Sequence, residues 1–310
     1  MSIPTRQLGK TDLQVSILGF GGGHCARKHI SEQQTVSLIQ RAIDAGITFM
    51  DNAWEYHGGE SERRMGLALE GRRDKVVLMT KVCGRDRQSA EDNLHDSLER
   101  LKTDVIDVWQ FHEINYDNDP DWISAAGGAL EAAEAARKAG KVRYIGFTGH
   151  KHPDILLQML DIGFDWDTCQ LPINVLDYHY RSFQRQVLPQ LVQRQIGVIG
   201  MKSLGGDAQI VLDAGLTPQE CRQYALSQPI STLVAGIESD ENLDQDIAIA
   251  DDFVPLSEER QEELREQVRL LAGDGRFEWY KSTQYYDAKM HREQHGFHPS
   301  SSGQAGVPPG

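Results

Sequence analysis

A (β/α)8 barrel of the α/β class is the fold this sequence predicts, and three observations carry the expectation. Eight apolar, β-branched runs recur along the chain, helical segments separate them, and the fingerprint of an open dinucleotide-binding sheet is absent. The runs fall at residues 17–21, 47–53, 76–82, 105–112, 142–150, 168–174, 197–204 and 231–237. They are near-continuously hydrophobic instead of alternating, as parallel strands covered by helices require. Gly21-Gly22-Gly23 is not G-x-G-x-x-G, which argues against a doubly wound sheet.

Before the first run, Gly9-Lys-Thr-Asp12 reads as a turn between two short strands, an N-terminal hairpin. Helix starts are marked by Ser31 with Gln34 and by Thr217 with Glu220, a hydroxyl cap with Glu or Gln three residues on, and Pro218 takes the first helical position. Residues 257–273 predict a ninth helix, rich in Glu and Arg. The reading is a barrel over 1–273 and a tail over 274–310. The aromatics and histidines of 276–297 suit a lid over the barrel mouth, with packing on the outer helices the competing use. Residues 300–310, rich in Ser, Gly and Pro, are expected to be mobile.

Composition narrows the function. Of 310 residues, 39% are hydrophobic and 25% charged, which fits a globular protein. With 32 basic and 46 acidic residues the net charge is −14, opposing nucleic acid and anionic lipid as partners and favouring small molecules. Cys25, Cys83, Cys169 and Cys221 lie far apart with no C-x-x-C, so neither a disulfide framework nor a metal cluster is signalled. The first residues carry no apolar signal segment and no apolar run approaches 18 residues, so a cytoplasmic protein is expected.

In such barrels the working residues stand at the C-terminal ends of strands. Here those positions hold Asp51, with Tyr56 in the following loop, then Thr80-Lys81, then His112-Glu113. Each alone reads as a surface or ion-pair residue; four at corresponding ends suggest a site. A nearby ammonium lowers a tyrosine pKa and a carboxylate holds the ammonium, so Tyr56 is a candidate proton donor.

With these residues in place, the sequence resembles the aldo-keto reductases over roughly residues 4–255. The resemblance rests on Gly46-Ile-Thr-Phe-Met-Asp-Asn-Ala-Trp-Glu-Tyr56, Thr80-Lys81, Asp107-Val-Trp-Gln-Phe-His112, Gly140-Lys-Val-Arg-Tyr-Ile-Gly146 and Gly197-Val-Ile-Gly-Met-Lys-Ser-Leu-Gly205. It implies hydride transfer between a nicotinamide cofactor and an aldehyde, ketone or sugar, in a subfamily with Gly200-Met201-Lys202 after strand seven. Tyr56 would be the acid, tuned by Lys81 and Asp51, with His112 orienting the carbonyl. The cofactor carboxamide would meet Thr148, in place of the usual serine, and Gln170. Met201 would cover the nicotinamide in place of an aromatic; the alternative for it is a core residue. Lys202, Ser203, Leu204, Gly236, Glu238, Asn242 and Asp246 complete the expected cofactor site, and His24, Trp54, His112 and Trp279 the substrate pocket. The resemblance implies NADP(H); NAD(H) enters because Asn242 replaces an arginine beside the acidic run Glu238-Ser-Asp-Glu241. Lys202 could compensate.

Two other readings compete with this one. His150-Lys-His152 could begin the ligand set of a metal-dependent hydrolase, but later strand ends hold only Glu238 as a further ligand, so no metal site is expected. A nucleotide-binding regulatory barrel, like the potassium-channel β subunits that resemble reductases, is neither excluded nor favoured by the four site residues.

Overall fold

The structure of the chain, a computed structural model, describes residues 3–297. The expected mobile segment 300–310 lies outside them. Strands β1 (Thr5–Gln7) and β2 (Gln14–Ser16) form the predicted antiparallel hairpin, with Arg6 opposite Val15. Eight parallel strands then close a barrel: β3 (Leu18–Gly21), β4 (Phe49–Asp51), β5 (Val77–Val82), β6 (Ile106–Phe111), β7 (Val142–Thr148), β8 (Thr168–Pro172), β9 (Gly197–Met201) and β10 (Thr232–Gly236). Each pairs with its sequence neighbour, and β10 returns to β3.

Helices α1 (Glu32–Asp44), α2 (Glu60–Ala68), α3 (Arg87–Arg100), α4 (Asp119–Ser124), α5 (Ala129–Lys138) and α6 (Pro153–Asp161) follow β3 to β7. The second half adds α7 (Phe183–Gln186), α8 (Leu188–Gln193), α9 (Gln209–Asp213), α10 (Pro218–Leu226), α11 (Asp240–Asp251), α12 (Glu258–Ala272) and α13 (Lys289–Gln294). Both predicted capping boxes form, Ser31 with Gln34 and Thr217 with Glu220, each cap contributing about 1 kcal/mol. No helix of the described residues is long and apolar enough to cross a membrane.

The strands end earlier than their apolar runs suggest. Residues 202–204 leave β9 as a loop in which Lys202 has φ 56°, and Glu113 just past β6 has φ 49°. Past β8 and β10 the runs continue into the buried Ile173 and Ile237, so hydrophobicity persists where pairing stops.

Side chains alternate across each strand, and the inward set changes character along the barrel. At the bottom Phe49, Val77, Met79, Val108, Ile199 and Val234 pack with Leu8, Leu13 and Val15 of the hairpin, which plugs that end. Two residues further up, the inward positions are polar: Asp51, Lys81, Gln110, Thr168 and Gln170, all buried. Gly146 lies in register between Gln110 and Thr168, and the side chains of those two bond across it at 2.8 Å. Outside, strands and helices bury one large apolar cluster built around Trp109, Phe111, Phe147 and Trp166.

A Cβ on Gly146 would stand 2.1 Å from Thr168 Oγ1 and 2.4 Å from its carbonyl oxygen. Gly146→Ala is therefore expected to lower stability by about 1–3 kcal/mol or more, the scale of overpacking in a core that cannot relax. Urea denaturation of both proteins checks it; an unchanged midpoint would contradict this packing.

Candidate active site

The polar layer at the top of the barrel holds the four residues that the strand ends single out. Lys81 Nζ is bonded to Asp51 and, at 2.8 Å, to the carbonyl of Asn52. The second oxygen of Asp51 accepts from Gln170 Nε2 at 3.2 Å. Tyr56 opens a short 3-10 turn, Tyr56–Gly59, that folds back because His57, Gly58 and Gly59 all take positive φ. Its ring lies 5.0 Å from Lys81 Nζ, and the His112 ring meets it edge-on with centroids 5.5 Å apart.

The electrostatics depart from the expectation that Lys81 lowers the Tyr56 pKa. Burial of the site pushes that hydroxyl well above its ordinary value, although part of the ring remains exposed, and the carboxylates of Asp51, Glu55 and Glu113 push the same way. Lys81 is already matched by Asp51, so its charge is largely spent within the pair. Burial likewise pushes His112 down, against the pull of Glu55. Glu55 Oε1 stands 2.8 Å from His112 Nδ1, outside hydrogen-bonding geometry. Burial pushes Glu55 upward, but His112, His291 and the Cys83 thiol outweigh it and hold the carboxyl below the usual range. Glu113 is pushed up to about 8 by burial and by Asp287 and Glu55.

Residues 274–297 pack across the loops that follow β5 to β8. Lys281, fully buried, bonds Asp177 at 2.7 Å and Glu278 at 2.9 Å. Asp287 accepts from Tyr116 Oη at 2.9 Å and lies 2.9 Å from Lys151 and 3.3 Å from His150. The His291 ring stands edge-on to His112 at 5.8 Å, and Gln294 donates to the Cys83 carbonyl at 3.0 Å. Arg85, itself buried, bonds Asp119 at 2.7 Å and the His112 carbonyl at 2.7 Å. Glu55 and Asp287 were not singled out by sequence, and Glu113 and His291 entered only within the strand end His112-Glu113 and the 276–297 segment. Glu55 and Glu113 each adjoin a chosen residue, a signal that could have found them; Asp287 and His291 reach the mouth only because the chain folds back.

The remaining expected residues divide. Thr148 and Gln170 stand side by side in register at the ends of β7 and β8. Met201 is half-buried at the end of β9, and Lys202 Nζ lies over the rings of Tyr286 at 4.8 Å and Tyr280 at 5.6 Å. The backbone N–H groups of Lys202, Ser203 and Leu204 have no acceptor among the described residues. Asp246 is bidentate to the buried Arg222, which also donates to Ser203 Oγ at 2.5 Å. Gly236 leaves room for the His24 ring, which a Cβ would meet at 2.6 Å. Asn242 is exposed on the first turn of α11.

Two expectations need correction. Trp54 turns away from the mouth, donating to Asp96 at 2.9 Å beneath the Arg100 guanidinium, because α3 offers a carboxylate there. The acidic run is not a bare negative patch: Glu238 lies 2.5 Å from Arg27, 2.7 Å from His24 and 3.0 Å from His29, and Asp240 and Asp244 pair with Arg41. The arginines come from the loop after β3 and from α1, while burial pushes His24 down to about 4 and leaves it an uncharged partner at neutral pH; Lys202 points elsewhere. His150 and His152, the pair that the hydrolase alternative would have used, stand apart: His150 faces Asp287 and His152 caps α6. A different set of potential metal donors does converge: Glu55, Cys83, His112 and His291. Trp279 is buried against Tyr286, its indole N–H without a partner.

Comparison with known proteins adds a finding at this point. The model of the Aldo/keto reductase family matches residues 17–210. An L-galactose dehydrogenase of Arabidopsis thaliana is 31% identical over 222 residues, 65% of this chain and 66% of its own. A 6-dehydroglucose reductase of Novosphingobium aromaticivorans is 26% identical over 74% of this chain and 76% of its own. The chain spans between about half and two thirds of the length of the first curated relatives it matches. An aldo-keto reductase from Bacillus halodurans in holo form superposes with a TM-score of 0.73, covering 86% of this chain and 96% of its own at 23% identity, a likeness of fold.

Asp287 tests how the 274–297 segment is held. Burial would raise its pKa, but His150 and Lys151 win and keep it below the ordinary carboxylate value. A depressed carboxylate contributes stability that is present above the unfolded pKa and lost as pH falls through the folded one. Asp287→Asn is expected to cost roughly 3–5 kcal/mol at pH 7, as when one partner of a buried pair is removed. The gap from wild type should narrow below about pH 4. Denaturant titrations at both pH values measure it, and a pH-independent gap would contradict the ionic account.

Proposed function

The chain belongs to the aldo/keto reductase family of oxidoreductases, and from that premise we propose that it transfers a hydride between a nicotinamide cofactor and a carbonyl or alcohol substrate. The observation that carries this reading is the meeting of Tyr56, the Asp51–Lys81 pair and His112 on one side of the barrel mouth. When bound, the nicotinamide supplies the hydride. The residues present fit such a group: Thr148 and Gln170 offer a hydroxyl and an amide side by side for a carboxamide, and Met201 a polarizable surface for a ring face. The unpaired N–H groups of residues 202–204 suit a phosphate. Gly236, Glu238, Asn242 and Asp246 border the far end, with Arg222 holding Ser203 and Asp246 in place.

Tyr56 does the proton chemistry in this proposal. Its raised pKa keeps it protonated through the neutral range, and an alkoxide is a stronger base than a tyrosinate, so the proton moves from Tyr56 Oη to the substrate oxygen. Lys81 then faces the phenolate and limits its cost, while Asp51 keeps Lys81 in place. His112, uncharged at neutral pH, orients the carbonyl by a hydrogen bond. The wall beside it, with Glu55, Glu113 and His291, is polar, which suits a hydroxylated substrate, and two relatives are named for sugar chemistry. We read 274–297 as a cap that shapes this pocket, with His24 on the opposite rim and Trp279 beneath the cap. All four cysteines are buried and unpaired, in keeping with a reducing cytoplasm.

Three outcomes follow for purified protein with NADH, NADPH and a panel of sugar and aliphatic carbonyls. Tyr56→Phe should bind cofactor normally and lose about 10²–10⁴-fold in kcat; unchanged turnover would sink the assignment. Lys81→Met should also lose turnover and shift the alkaline fall of the reduction profile to higher pH, since the ammonium no longer favours the phenolate; an unshifted profile would refute the coupling. Asn242→Arg should tighten NADPH relative to NADH by ~10-fold, the scale of one charge-assisted hydrogen bond. Fluorescence titration of both cofactors tests that, and a wild type already preferring NADPH a thousandfold would show another cation on the phosphate, with Arg27 and Lys202 the first to examine.

A further inference from the structure

We propose that Glu55, Cys83, His112 and His291 form a binding site for one zinc-like divalent cation beside the barrel mouth. One donor atom from each residue lies within 4.8 Å of all the others. A tetrahedral zinc ion with bonds of about 2.0–2.3 Å holds its donors roughly 3.3–3.8 Å apart, so closure requires side-chain shifts of the order of 1 Å. The residues come from four places: the loop after β4, the end of β5, the end of β6 and α13.

Two observations separate this group from a chance polar cluster. Buried polar atoms are nearly always satisfied, yet His112 Nδ1 and His291 Nε2 both lack a hydrogen-bond partner. His112 is 6% exposed and His291 0%. The second observation is the chemistry of the set. Cys83, fully buried, directs its thiol to Glu55 Oε2 at 2.9 Å, and Glu55 Oε1 lies 2.8 Å from His112 Nδ1. A thiolate and a carboxylate balance a +2 charge, and two neutral imidazoles complete four ligands. One sulfur and two nitrogens select zinc or cobalt over magnesium or calcium.

Binding is balanced simply. The Cys83 S–H bond breaks, an Sγ–metal bond forms, and one proton leaves to solvent. His291 must then carry its proton on Nδ1, which faces Arg85 at 3.5 Å, the outer limit of a hydrogen bond. Arg85 is already held by Asp119 and by the carbonyls of Cys83, His112 and Glu113, so little is lost when that contact opens. Ligation by His291 ties α13 to the ends of β5 and β6, and metal on Nδ1 of His112 places the remaining ring proton on Nε2. The site shares His112 with the proposed reductase chemistry but does not depend on it, and its test reads metal directly.

The full-length chain, stripped with chelator, is titrated with ZnCl2 by calorimetry in two buffers of different ionisation enthalpy and, separately, with CoCl2 by absorption spectroscopy. Expected are one equivalent of zinc with one proton released, a thiolate-to-cobalt charge-transfer band, and a zinc-dependent rise in Tm. Cys83→Ser should lose the band, and Cys83→Ser and His291→Ala should each bind zinc ~100-fold more weakly or worse, because loss of outer-shell partners alone reaches about 10–100-fold. Absence of a saturable 1:1 event, or of the thiolate band in wild type, overturns the site. So does an affinity unchanged in both variants. Because the cobalt band is read in the unmodified protein, the test stands even where a variant fails to fold.

Discussion

The buried pair of Lys81 and Asp51 is the constraint around which the upper barrel is organised. Lys81 is 1% exposed and Asp51 4%, and either charge alone at that depth would cost several kcal/mol. Together, with the Asn52 carbonyl and the Gln170 amide closing the remaining contacts, they tie the ends of β4, β5 and β8 to one geometry. The apolar lower layer plugged by the hairpin makes this possible, because it lets the inward positions above it be polar without costing the barrel its core.

The segment over the mouth repeats the same solution. Where a dry interface would offer Leu against Leu, this one sets Lys281 between Asp177 and Glu278, Asp287 against Lys151 and His150, and His295 on Asp119. Apolar contacts are non-directional and tolerate sliding; charged hydrogen bonds do not, so these pairs specify one seating of 274–297. Removing one partner of a buried pair leaves the other charge uncompensated.

One consequence reaches the proposed chemistry. The cap brings His291 to His112 and Asp287 toward Glu113, so the environment of the barrel residues is set in part by a stretch of chain some 175 positions away. Burial, with the carboxylates of Asp51, Glu55 and Glu113, explains why Tyr56 is held protonated where Lys81 alone would have pulled its pKa down.

The barrel, its hairpin, its helix caps and the convergence of Asp51, Tyr56, Lys81 and His112 were legible in the sequence, since apolar periodicity, cap chemistry and strand-end position are local properties. The length of the strands was less so: the runs continue past the last ladder bond into loops such as 173–174 and 202–204, and composition does not register where pairing stops. Trp54 looked like a pocket wall until Asp96 and Arg100 of α3 claimed it. The acidic run after β10 read as hostile to a phosphate because Arg27 and Arg41 lie some 200 residues earlier. Sequence by itself determined the class of fold and which four residues meet, because each strand end presents its own residues to a common axis. Tertiary structure alone decided the charge state around them and the company of Glu55, Cys83 and His291, because pKa values and ligand sets depend on distances through space that spacing along the chain does not encode.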